Sequence, residues 1–225
     1  MRRLNYVVGV CSVAVGAFCL TLPSNLAQAE MYVAGQAGAT IPQNLSSVEY
    51  SAGGVTVGGS NLALHNSVMY GAKVGYYFDS LKWLGLETEI FNTTPNIKQQ
   101  DVSIAGVNLG TAPGIDLRVL TWAPVNVVVR YQAGAFEPYA GVGLGVFFHR
   151  ASIQGPGGGS SSGTDVGLNT QLGLRYRVTN NLSLFGEWKF NHANLSQDDF
   201  VGATGLKVSA DYNAHILAFG VGYHF

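Results

Sequence analysis

Hydrophobic and polar residues alternate along most of the chain that follows residue 29. An alternation with a period of two is typical of a β-strand whose two faces meet different surroundings. Many of the alternating segments are about ten to sixteen residues long, a length that suits tilted strands crossing a bilayer. The segments are 30–41, 68–78, 85–92, 115–131, 139–149, 164–178, 182–191 and 207–225. The pattern therefore predicts an all-β fold, an eight-stranded antiparallel up-and-down transmembrane β-barrel.

The connections between these segments alternate in length. Long connections span residues 42–67, 93–114, 150–163 and 192–206, and short ones lie between them. Membrane barrels with short periplasmic turns and long external loops show this asymmetry, so both chain ends are expected on the periplasmic side. The first and third long connections are rich in glycine and serine, which predicts mobile loops rather than a second folded domain.

The first 29 residues follow the plan of a secretory signal peptide. Arg2 and Arg3 precede an apolar run over residues 6–22, and a small-x-small triplet closes the segment at 27–29. This arrangement predicts cleavage before Glu30, with residues 1–29 as signal peptide and 30–225 as the barrel domain. A retained membrane anchor is the alternative, because about 17 apolar residues reach the lower limit for spanning a bilayer.

The composition indicates that part of the protein surface contacts something other than water. The chain is 47% hydrophobic and only 11% charged, whereas about a quarter of the residues in a soluble domain are charged. No stretch after residue 29 is apolar enough for a membrane helix, and a closed barrel is the other structure that satisfies every backbone group in lipid.

Removal of the signal peptide would change the charge and the chemistry of the chain. Both cysteines, Cys11 and Cys19, would be lost, so no disulfide or thiol site is expected. Of the 12 basic residues, ten would remain after the loss of Arg2 and Arg3, and all 13 acidic residues would remain. With a net charge near −3 and no basic cluster, nucleic acid is not an expected partner.

Charged residues in the predicted strands fall on the face opposite to the apolar one. A charge on the lipid-facing side would cost about 2–4 kcal/mol at the middle of a bilayer. In segment 115–131 this phase puts Leu117, Val119 and Val125 towards lipid. The predicted interior network is Lys73, Glu87, Glu89, Asp116, Arg118, Arg130, Arg175, Arg177, Glu187 and Lys189.

A soluble β-sandwich would also alternate, with its charges facing water. Aromatic residues near the short turns favour the barrel, because such residues form a girdle at the membrane interface. They are Tyr76, Phe78, Trp83, Tyr131, Tyr176, Tyr223 and Phe225.

The interior of an eight-stranded barrel is just wide enough for its own side chains. The ten interior charges, six basic and four acidic, are therefore expected to form ion pairs that fill the lumen. The alternative is a narrow conduit with a weak preference for anions, given the excess of two positive charges.

Two segments resemble small eight-stranded outer-membrane barrels, the OmpA-like and opacity-type surface proteins. One is the C-terminal strand 216–225, in which aromatic and apolar residues alternate up to Phe225; the other is the glycine-rich strand 138–145. The resemblance implies an outer-membrane location. It also implies that Phe225 and Tyr223 form the signal read by the barrel-assembly machinery.

Some barrels similar to this one remove acyl chains from lipid A with a His-x-Ser pair. Here His192 is followed by Asn194 in the nucleophile's place, and Ser196 lies two residues too far along. An amide cannot be activated by imidazole as a hydroxyl can. His192 and His215 could approach each other across neighbouring strands, but ordinary polar contacts are favoured over a metal site. No catalytic residue, metal or cofactor is therefore expected.

The sequence thus predicts a non-enzymatic outer-membrane surface protein that contributes to envelope structure. Because loops on rigid scaffolds carry recognition, an external ligand is expected at the long loops. The other expected partners are outer-membrane lipid, lipopolysaccharide and the barrel-assembly machinery. A small porin and, less favoured, a lipid A acyl hydrolase are the alternatives.

Overall fold

The structure is a computed structural model that describes residues 30–112, 114–153, 159–198, 205 and 207–225. The predicted signal peptide lies outside these described residues. In the described part of the chain, no helix has the length and apolar character needed to cross a membrane.

Eight long strands build the wall of the molecule. They are β1 (Glu30–Pro42), β4 (Ser67–Tyr77), β5 (Leu84–Thr93), β8 (Asp116–Arg130), β9 (Phe136–Ser152), β10 (Ser160–Arg177), β11 (Leu182–Gln197) and β12 (Lys207–His224). Four shorter strands lie in the first two long connections: β2 (Ser46–Ala52), β3 (Val55–Gly58), β6 (Gln100–Ile104) and β7 (Val107–Ala112).

The eight long strands close into a barrel. Each pairs antiparallel with its neighbour along the chain, in the order β1-β4-β5-β8-β9-β10-β11-β12. The last strand returns to the first, with Tyr32 opposite His224 and Pro42 opposite Ala214. Closure leaves no open sheet edge in the wall. The predicted eight-stranded antiparallel barrel is confirmed.

Side chains alternate between the lumen and the outer surface, as the sequence predicts. On β4 and β5, Lys73, Glu87 and Glu89 are buried in the lumen. The outer surface is apolar around the wall, and large residues such as Leu144 and Phe219 are 62% and 71% exposed. Such a surface is stable only where lipid covers it. We call the end of the barrel with the short turns and both termini the turn end, and the other the loop end.

A β-bulge interrupts the alternation in β8. Trp122 lies opposite Val146 of β9, but Val125 lies opposite Leu144, so β8 carries one extra residue between these pairs. Pro124 is located in this interval, where the missing N–H of proline does not break a ladder hydrogen bond.

The bulge makes part of the predicted network wrong. Between the bulge and the loop end, Leu117 and Val119 are buried in the lumen, while Arg118 is exposed and Asp116 is half-buried in the outward phase. Asp116 and Arg118 are therefore not interior residues. A one-residue insertion moves every following side chain to the opposite face.

The long connections are more structured than their composition indicates. The first contains the β2–β3 hairpin, and β2 pairs with the loop end of β12, where Ser51 lies opposite Lys207. The second contains the β6–β7 hairpin. The prediction of a mobile first loop is therefore replaced by a hairpin that continues the wall. In the third connection, residues 154–158 lie outside the described residues.

Candidate functional site

Ion pairs fill the lumen at the turn end, in a group that we call the lower cluster. Arg130 Nη2 lies 2.7 Å from Glu30 Oε2, and Arg177 also pairs with Glu30. Glu137 accepts from three arginines: Arg177 Nε at 3.0 Å, Arg175 Nη1 at 3.4 Å and Arg130 Nη1 at 3.5 Å. Five charges from β1, the end of β8, β9 and β10 thus cross-link the barrel wall.

The lower cluster also joins the two ends of the described chain. His224 Nδ1 lies 2.7 Å from Glu30 Oε1, and the other ring nitrogen lies 2.8 Å from Ser183 Oγ. The guanidinium carbon of Arg130 lies 3.6 Å from the ring centre of Tyr77, a cation–π arrangement. Through these contacts, the side chains of β1, β4, β11 and β12 lie in one network.

A second group of five charges, the central cluster, occupies the middle of the lumen. Lys73 Nζ lies 2.7 Å from Glu187 Oε2 and 3.4 Å from Glu87 Oε1. Lys189 Nζ lies 2.5 Å from Glu89 Oε2 and 2.9 Å from Glu187 Oε1. All five side chains are buried. Glu187 bridges the two lysines, so each ammonium group contacts two carboxylates.

Neutral side chains add hydrogen bonds to two of these carboxylates. Tyr139 donates its hydroxyl to Glu187 Oε2 at 2.7 Å, and Tyr32 donates to Glu87. The amide of Gln171 donates to Glu87 Oε1 at 2.8 Å. Buried charges are tolerated when they are both paired and hydrogen-bonded.

The charges of the two clusters balance. Lys73, Arg130, Arg175, Arg177 and Lys189 face Glu30, Glu87, Glu89, Glu137 and Glu187. The expected excess of two positive charges is therefore wrong. It counted Asp116 and Arg118, which lie outside the lumen, and left out Glu30 and Glu137 of the lower cluster.

Sequence reasoning missed Glu137 and Glu30. Glu137 precedes the predicted start of its strand at residue 139, whereas β9 begins at Phe136. The available signal was its two-residue spacing from Tyr139, which puts both side chains on the inner face. Glu30 was assigned to the first strand but not to the interior network. The other polar residues on its face of that strand, such as Tyr32 and Gln36, are uncharged, so the face gave no sign of a charged cluster.

Apolar side chains fill the lumen at the loop end, in a group that we call the mouth cluster. It combines residues from the barrel strands with residues from the first two long connections. Its members are Leu45, Val48, Leu62, Leu64, Ile97, Ile115, Leu117, Val119, Phe147, Ala151, Ala193, Leu195, Val208, Ala210, Tyr212 and Ala214. The lumen is therefore polar in its lower and middle parts and mostly apolar at the mouth, where buried His149 pairs with Asp165 at 2.6 Å.

The residues considered for hydrolysis do not form a nucleophile–base pair. His192 Nδ1 lies 2.8 Å from Asn213 Oδ1, and Ser196 Oγ donates to Asp165 Oδ1 at 3.2 Å. His215 Nε2 contacts the amide of Gln43 at 3.1 Å. Within the described residues, no three His, Cys, Asp or Glu side chains are grouped to hold a metal ion.

The C-terminal aromatic residues lie on the outer surface at the turn end. Tyr223 and Phe225 are exposed, and their rings meet edge to face with centres 5.1 Å apart. Tyr76 and Phe78 form a similar pair at the same end, with centres 5.5 Å apart. These rings belong to the aromatic girdle that the sequence predicts at the membrane interface.

A closed barrel with an apolar outer wall and a polar, charge-balanced lumen defines an integral membrane protein of the outer-membrane class. The chain belongs to the outer membrane protein beta-barrel domain family, whose sequence model matches residues 10–225. The resemblance stated from the sequence is confirmed, and the protein is located in the bacterial outer membrane.

Solved structures share this fold at low sequence identity. Neisserial surface protein A is 16% identical, with a TM-score of 0.54 over 87% of this chain and 97% of that one. OprG of Pseudomonas aeruginosa is 17% identical, with a TM-score of 0.60 over 87% and 95%. A major outer membrane protein of Thermus thermophilus is 13% identical, with a TM-score of 0.53 over 88% and 99%. No curated protein matches the chain.

Proposed function

We propose that this protein is a non-enzymatic scaffold with a closed lumen, which holds the long loops at the cell surface. The observation that carries the proposal is the balanced network of five basic and five acidic side chains inside the barrel. Because each charge is paired, the network stabilises a filled interior and offers no free charge to a passing ion.

The mouth cluster supports a closed lumen independently of the charges. An ion moving along the barrel axis would have to leave water and pass between apolar side chains such as Leu117, Phe147 and Tyr212, which are all buried. Desolvation of an ion in such surroundings is costly. A porin needs a continuous polar path, and this arrangement argues against one.

The test is the conductance of the protein as purified from outer membranes and inserted into planar lipid bilayers. We expect no stable conductance steps over a wide range of voltage. The double variant Lys73→Met with Glu187→Gln is the positive control. It weakens the central cluster, so a conductance in this variant would show that the assay detects current through an inserted barrel. Reproducible steps from the wild-type protein would contradict the closed lumen and favour the porin alternative.

Recognition of an external ligand is the second part of the proposal. The β2–β3 and β6–β7 hairpins extend from the loop end, and their tips carry Val55 and Val107, which are 64% and 62% exposed. Exposed apolar residues on a rigid scaffold are typical of contact surfaces.

We also propose that Phe225 and Tyr223 serve as the signal for the barrel-assembly machinery, since both are accessible on the last strand.

A further inference from the structure

Two arginines face outward side by side near the loop end of the wall. Arg118 of β8 lies directly opposite Arg150 of β9, and both side chains are exposed. They line a shallow depression on the outer wall together with Leu120, Phe148 and Thr164. This position follows from the β8 bulge, which turns Arg118 away from the lumen.

The two guanidinium groups lie above the apolar part of the wall. Arg150 is 14 positions after Phe136, which begins β9 beside the short turn. At about 3.3 Å per residue and a tilt near 40°, this corresponds to roughly 35 Å along the barrel axis. The apolar band of such barrels is about 25 Å tall. The arginines therefore lie at the level of the lipid headgroups.

Neither arginine forms an ion pair of 4.0 Å or less within the part of the chain that the structure describes. Arg150 Nη2 donates to Ser160 Oγ at 3.3 Å. Like charges directly opposite each other on a sheet repel.

We propose that Arg118 and Arg150 bind the phosphate group of a phosphorylated glycolipid in the outer leaflet of the membrane. Guanidinium groups recognise phosphate through paired, charge-assisted hydrogen bonds. A bound phosphate would also remove the repulsion between the two arginines. The apolar residues that follow towards the turn end, Leu120 and Phe148, fit the acyl chains of a lipid rather than a free anion.

The experiment compares two forms of one glycolipid in nanodiscs of phosphatidylcholine. Diphosphorylated lipid A and lipid A stripped of phosphate are each added, and the lipid retained by the folded protein is measured by native mass spectrometry. We expect at least a tenfold preference for the phosphorylated form. The double variant Arg118→Gln with Arg150→Gln should lose that preference, and Arg118→Lys with Arg150→Lys should keep part of it.

Lys207→Gln is the matched control, because Lys207 is an exposed cation of the outer wall that lies 3.6 Å from Asp198. Its retention of lipid A should equal that of the wild type. Heat-modified migration on gels checks that each variant is folded. Equal retention of the two glycolipids, or an unchanged preference in the double glutamine variant, would overturn the proposal. Competition by inorganic phosphate at equal concentration would overturn the assignment to a lipid.

Discussion

At the scale of single residues, the lumen contains charges that are stable only because of their partners. Lys189 is fully buried and contacts Glu89 and Glu187 on two different strands. Removing one partner of a buried ion pair leaves the other charge without compensation. The lumen is therefore more sensitive to the loss of one charge than to the loss of a matched pair.

We expect Lys189→Met to lower the free energy of unfolding by about 3–5 kcal/mol, because two carboxylates lose their shared cation. The measurement is urea unfolding in lipid vesicles, followed by tryptophan fluorescence. Lys207→Met, at an exposed ion pair, should change the same quantity by less than about 1 kcal/mol. Adding Glu89→Gln to Lys189→Met should recover part of the loss. Equal effects of the two lysine variants would contradict the central role of the buried network.

At the scale of elements, the β8 bulge decides which residues enter the lumen. Before Pro124, the odd-numbered residues Leu117 and Val119 are inside; after it, the even-numbered Asn126 and Arg130 are inside. Both halves of the strand satisfy the rule that apolar side chains face lipid in the middle of the membrane. The extra residue allows the loop end of β8 to contribute to the mouth cluster.

Deletion of Pro124 should strongly impair folding, because one half of β8 must then turn its side chains to the wrong face. Either Arg130 would face lipid, or Arg118 would enter the apolar mouth. We expect the folded fraction in outer membranes, measured by heat-modified migration, to fall several-fold. Pro124→Ala keeps the residue count and should fold at close to the wild-type level. Normal folding of the deletion variant would show that the bulge does not set the phase.

The elements also show what the sequence could and could not predict. Alternation placed Lys73 and Glu87 in the lumen correctly, because β4 and β5 have no insertion along the predicted segments. It failed for Arg118, because the extra residue in the bulge exchanges the inward and outward positions. A single alternation applied to the whole strand therefore assigns one half of β8 to the wrong face. Pro124 was the available signal, as proline within a sheet is confined to edges and bulges.

The local sequence pattern also failed to predict the structure of the first long connection at the mouth, for a different reason. The β2–β3 hairpin is stabilised by pairing with β12 and by burial of Val48 among residues distant in the chain. Such long-range contacts override a composition rich in glycine and serine. Glu137 was missed because it precedes the predicted start of its strand, and because the arginines that pair with it lie on β8 and β10.

At the scale of the whole molecule, the lumen has two parts with different roles. The two charged clusters cross-link the strands at the turn end and in the middle, whereas the mouth cluster attaches the first two connections to the barrel. Because the parts are chemically distinct, a defect in one is expected to leave the other largely intact.

Val48→Asp should release the first long connection from the mouth without unfolding the barrel. A buried carboxylate among apolar residues is unfavourable, and β2 can leave the mouth more easily than a wall strand can. We expect cleavage of the connection by added protease to become at least several-fold faster, with an unchanged urea midpoint. Val55→Asp in the same hairpin is the control, since Val55 is exposed and should tolerate the charge. Loss of the folded barrel in Val48→Asp would show that the two parts are not separable.

The balance of charge in the lumen has a consequence for how such proteins diverge. A single reversal at Lys73 would place a third carboxylate beside Glu87 and Glu187, so selection should remove it unless a partner changes as well. Descendants of one ancestral barrel are therefore expected to exchange interior residues in compensated pairs, while residues towards lipid drift independently among apolar types. Covariation between strands, more than identity at any position, should record their common origin.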